Sequence, residues 1–118
     1  MKQANLLLSN AANDDLAVLA ERICGLLGAT GLEERDSENH PGGGYFKART
    51  SFAEIKVMVY EDSGHPDLPV WLCLRPSSTK DFDANFIDEL VRSRLLPAGF
   101  KVALVQNFGA LTEKRKDY

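Results

Sequence analysis

This sequence lacks several things that would identify a function quickly. It has two histidines, two cysteines and one tryptophan in 118 residues. The histidines, His40 and His65, each sit in a Pro/Gly-rich stretch. A nucleophilic site would need Ser, Cys or Thr with a base within reach and an orienting third group, and these two loop histidines are the only ones available. Cys24 and Cys73 lie among apolar neighbours with no local cations to lower their pKa, which suits reduced, buried core thiols in a reducing compartment. A basic surplus is missing too: the formal net charge is −3, against the usual electrostatic footprint of a nucleic-acid binder. Long apolar runs are absent. The start of the chain carries only Leu6-Leu7-Leu8, short of the roughly 7–15 apolar residues of a signal peptide. Nothing approaches the ~20 apolar residues that span a bilayer. The expected location is therefore cytoplasmic.

What is present is ordinary globular composition, 44% hydrophobic and 26% charged, at the size of one domain. The charge is uneven. Residues 1–40 hold seven acids (Asp14, Asp15, Glu21, Glu33, Glu34, Asp36, Glu38) against Lys2, Arg22 and Arg35, a net of −4, and the remainder nets +1.

The apolar periods switch cleanly along the chain. Residues 4–8 predict a buried strand. Leu16, Leu19, Ala20, Ile23, Leu26 and Leu27 recur at helical spacing and predict a helix over about 14–27, with Asn13 or Asp14 as N-cap and Gly28 at the C-cap. Gly25 inside that helix suggests close packing on a sheet. Thr30–Ser37 reads as an edge strand or a loop. Gly44–Thr50 and Glu54–Tyr60 alternate as strands, and Ser51-Phe52-Ala53 fits the turn of a hairpin between them. Val70–Leu74 is a continuous apolar run, as in a strand covered on both faces. Asp83 caps a second predicted helix over about 84–96, which Pro97-Ala98-Gly99 ends. A last strand is expected over 101–108, and residues 112–118 read as a polar, frayed tail. The predicted class is α+β: two helices on one face of a mostly antiparallel sheet of five or six strands, a ferredoxin-like βαββαβ layout with added strands.

Specific chemistry is scarce. Glu61, Asp62, His65 and Asp67 crowd one loop, but their spacing matches no zinc or calcium pattern. Pro41-Gly42-Gly43-Gly44 opens a strand rather than a helix and lacks the Lys-Ser/Thr of a phosphate loop. Tyr45, Lys47 and Arg49 alternate on one strand, but one aromatic and two cations are too few for an RNA-stacking sheet. No cofactor, metal or direct nucleic-acid partner is expected.

Two stretches, Glu33-Glu34-Arg35-Asp36-Ser37 and Gly43-Gly44-Tyr45-Phe46-Lys47-Ala48-Arg49, look like small bacterial proteins. The chain as a whole resembles immunity proteins of bacterial toxin systems, including contact-dependent growth inhibition. The resemblance implies a small, acidic, cytosolic and non-enzymatic domain that plugs the active site of a protein toxin, commonly a nuclease with a basic cleft. The acids that would meet such a cleft are Glu33, Glu34, Asp36 and Glu38, beside Tyr45, together with Glu61, Asp62 and Asp67. The competing expectation is a regulatory module of ferredoxin-like type that binds a small molecule.

Overall fold

The computed structural model describes residues 3–36, 44–50, 55–61, 65–76, 83–107 and 111–118. The chain runs β1 (Ala4–Leu8), α1 (Leu16–Leu27), β2 (Ala29–Asp36), β3 (Gly44–Thr50), β4 (Ile55–Glu61), β5 (Val70–Pro76), α2 (Ala84–Leu90), a π-helical turn (Val91–Leu95), β6 (Val102–Gln106) and β7 (Lys114–Asp117). The seven strands form one sheet in the order β2-β3-β4-β5-β1-β6-β7, every neighbour antiparallel.

Burial explains the central strands. Leu6, Leu7 and Leu8 are all fully buried, because β1 lies mid-sheet with cover on both faces. One face carries the main core. Ala4, Leu6 and Leu8 of β1, Val57 and Val59 of β4, and Leu72 and Leu74 of β5 pack there with Leu19, Ile23 and Leu27 of α1 and with Ile87, Val91 and Leu95 of α2 and its π turn. Both helices therefore cover the same face, as the apolar stripes require.

Local chemistry sets the helix ends. The Asn10 side chain brackets Asp14 just ahead of α1: its Nδ2 donates to the Asp14 carbonyl and its Oδ1 accepts from the Asp14 N–H, both at 3.0 Å. The N-cap is Asp15, in extended conformation. Gly28 closes α1 at φ 67°, the left-handed conformation that glycine adopts without a Cβ clash. Asp83 caps α2 by accepting from the Asn85 N–H at 2.9 Å. Arg22 of α1 donates to the Ala98 carbonyl at 2.7 Å, and Arg94 donates to the Leu26 carbonyl at 3.0 Å, which ties the two helices together.

Several expectations change. The sheet has seven strands rather than five or six, more than the expected ferredoxin-like layout with added strands allowed for. The crossover through α1 carries the chain from central β1 to the far edge at β2, and β2 to β5 then return as a four-strand meander. Of the stretch Thr30–Ser37, residues through Asp36 belong to edge strand β2, and Ser37 falls outside the described residues. Residues 112–118, expected to fray, contain β7 instead, whose residues pair with Ala103–Gln106. The Tyr118 N–H then donates to the Val102 carbonyl at 2.9 Å. Gly25 is not a close-packing site, since a Cβ there would meet nothing within 4 Å. The Ser51-Phe52-Ala53 turn and Pro41–Gly43 fall outside the described residues.

Candidate functional site

Strand alternation divides the polar residues between two surfaces. The face away from the helices carries Tyr45, Lys47 and Arg49 from β3, Lys56 and Tyr60 from β4, and Trp71 and Arg75 from β5; their strand neighbours Phe46, Ala48, Val57, Val59, Leu72 and Leu74 point into the helical core. Cross-strand register aligns these residues into rows. Tyr60 lies opposite Trp71, and the rings of Tyr45, Tyr60 and Trp71 form a stacked column with centroid separations of 4.8 and 4.4 Å. Burial in this column pushes the Tyr60 phenol above its ordinary range. Two residues further along the strands the row is Lys47, Met58 and Cys73, and the next is Arg49, Lys56 and Arg75.

A polar strut joins the column to the cations. Asn5 Oδ1 accepts from Trp71 Nε1 at 3.0 Å and from Gln3 Nε2 at 2.8 Å. Gln3 Oε1 in turn accepts from Arg75 Nε at 2.7 Å. Arg75 is therefore aimed by β1 although it stands on β5. On the other side of Trp71 the face is closed. Leu68 packs on Leu7, Ala103 and Val105, with Trp71 beside them. The loop bearing Leu68 is fastened to the β7 side of the sheet. Arg115 Nη2 meets Asp67 Oδ2 at 2.6 Å, and His65 Nε2 lies 3.1 Å from Glu113 Oε2.

The anticipated acids are not one surface. Glu33 lies opposite Lys47, whereas Glu34 lies opposite Phe46 and so faces the helical side. Asp36 ends β2 opposite Gly44, beside Tyr45. Asp67 is committed to Arg115, whose guanidinium holds its carboxyl below the usual carboxylate range. Glu38 and Asp62 lie outside the described residues. Glu61 does join a group, though not the expected one. With Asp14 and Asp15 at the start of α1 it lines a cleft of about 420 Å³, whose other walls include Asn10, Asn13 and Val70. The sequence reading missed this corner because Asp14 and Glu61 are far apart in the chain. It also missed Lys56, Tyr60, Trp71 and Arg75 as one surface with β3, although the alternation of β4 and β5 carried that signal.

Catalytic options are narrow among the described residues. Cys24 and Cys73 are free and buried, and burial pushes each thiol up to about 11, so neither is a ready nucleophile at neutral pH. No group of three or more His, Cys, Asp or Glu side chains among the described residues is arranged to hold a metal ion. No described helix is long and apolar enough to cross a membrane. What the fold offers is an α+β domain with two surfaces of opposite charge, an acidic corner at the start of α1 and a basic, aromatic sheet face. Comparison with known proteins adds no relative: no family model matches the chain, and no curated protein or solved structure matches it.

Proposed function

We propose that this chain is a non-catalytic inhibitor of the immunity type, which neutralises a bacterial toxin domain by placing acids in a basic substrate cleft. The observation that carries this reading is the acidic corner. Asp14, Asp15 and Glu61 meet around one open cleft, and neither Asp14 nor Asp15 forms an ion pair with any described residue. Acids such as Asp14 and Asp15, held on a folded scaffold, lose little entropy on docking and steer a basic partner toward them.

The test is co-expression with the toxin encoded beside this gene, read by survival and by pull-down. Asp15→Lys combined with Glu61→Lys is expected to abolish protection and to weaken association, with Glu89→Lys on α2 behaving as wild type. Association should also slow with salt, since steering between exposed charges is screened over about 8–10 Å. A double reversal that protects fully would sink the reading. The size of the cleft, within the roughly 300–1,000 Å³ of small-molecule sites, would then favour the regulatory module.

A further inference from the structure

The helix-free face contains an arrangement that folding alone does not favour. Arg49 stands opposite Lys56, and Lys56 stands opposite Arg75, in consecutive antiparallel registers. Like charges directly opposite one another destabilise a sheet. None of the three forms an ion pair with a described residue; Arg75 is tied to the neutral Gln3 and to the Cys73 thiol. Lys47, also without an ion pair among the described residues, stands between this row and the Tyr45–Tyr60–Trp71 column. The row and the column are four residues apart along each strand, about 13 Å at 3.3 Å per residue. The Asn5–Gln3 strut fixes Trp71 and Arg75 relative to each other. Where β2 bulges between Thr30 and Glu33, a groove of about 380 Å³ opens onto Lys47 and Arg49, with the Glu33 carboxylate as its one acidic wall.

We propose that this face binds single-stranded nucleic acid, with phosphates on Lys47, Arg49, Lys56 and Arg75 and a base stacked on the Tyr45 end of the Tyr45–Tyr60–Trp71 column. Positive charge that tracks a backbone beside aromatic rings that take bases is the physical recipe for such binding. An acidic peptide would satisfy the cations and leave the aromatic column without a role. The sequence argued against nucleic acid because β3 alone supplies one aromatic and two cations. The sheet brings the total to three and four.

Trp71 is the sole tryptophan of the chain and reports on the column directly. Titration of the full chain with a 15-mer of oligouridylate, or of oligothymidylate, should change its fluorescence. The logarithm of the binding constant should fall with the logarithm of salt, by about 0.7 for each phosphate neutralised. Arg49→Gln with Lys56→Gln should weaken binding at least tenfold and make that slope shallower by about 1.4. Tyr45→Leu should weaken binding at least fivefold and leave the slope unchanged. The Arg49→Gln, Lys56→Gln protein should melt no lower than wild type, because a repulsion is removed. Asp15→Lys with Glu61→Lys should bind oligonucleotide no worse than wild type, which separates this proposal from the toxin reading. It is overturned by absence of binding at low salt, by equal affinity for polyglutamate, by unchanged affinity in the cation variant, or by a lower melting temperature for that variant.

Discussion

Burial raises both thiols, and that ties stability to pH. Cys24 and Cys73 ionise at about 11 in the folded protein against 9.0 for a free thiol. Between those values the unfolded chain has lost its thiol protons and the folded chain has kept them. The stabilisation is complete below pH 9 and is lost as pH rises through 11. Denaturant melts at pH 8 and pH 10.5 should therefore show wild type losing more stability than the Cys24→Ala, Cys73→Ala double variant; equal losses would mean that the thiols are solvated. Their burial was legible in the sequence because each sits among apolar residues at core-facing or mid-strand positions. The role of Asp67 was not. Its partner, Arg115, lies 48 residues away, and nothing local distinguishes a tethered carboxylate from a docking one. Gln3 and Asn5 were equally opaque, since their partners stand on β5.

At the scale of elements, periodicity gave up what it encodes and no more. Helix α1 and strands β1 and β3 match the residues whose apolar spacing announced them, because burial on one face imposes that spacing. β2 was ambiguous. Its charges, Glu33, Glu34 and Arg35, suit an unprotected edge as well as a loop, and a bulge between Thr30 and Glu33 breaks the alternation. β7 was invisible because Lys114–Asp117 is exposed at every position, so no buried face writes a pattern into it. Gly25 shows the converse error. A glycine in a helix suggested close packing, yet the space where a Cβ would stand is open. Gly25→Ala should then stabilise the protein by roughly 0.5–1 kcal/mol, by restricting the unfolded chain and improving helix propensity. A lower denaturation midpoint for that variant would show that something unseen occupies the position.

Over the whole molecule, strand order was beyond the sequence, because pairing β1 with both β5 and β6 depends on contacts that no local window contains. That order creates the problem β7 solves. Without β7, the row of backbone groups on β6 would be an open edge beside Val102, Ala103 and Val105, a template for association. β7 covers it, and Arg115 and Glu113 also hold the loop that lays Leu68 over Leu7 and Ala103. Tyr118 extends the attachment to the π turn that follows α2, with its ring under Arg92 of that turn at 5.6 Å and Lys116 of β7 at 5.1 Å. Deleting Glu113–Tyr118 should remove all three functions together. Exposing Leu68 alone costs roughly 1.5–3 kcal/mol, and the bare β6 edge should make elution volume in size-exclusion chromatography depend on concentration. Asp67→Asn separates the contributions. It breaks one exposed ion pair, which solvent screens to a small contribution, and leaves the β6–β7 ladder intact, so stability should fall slightly and elution should not change. If the truncated chain is as stable as Asp67→Asn and elutes identically at all concentrations, β7 does not guard the sheet. The Leu68 loop would then be held by its own apolar contacts.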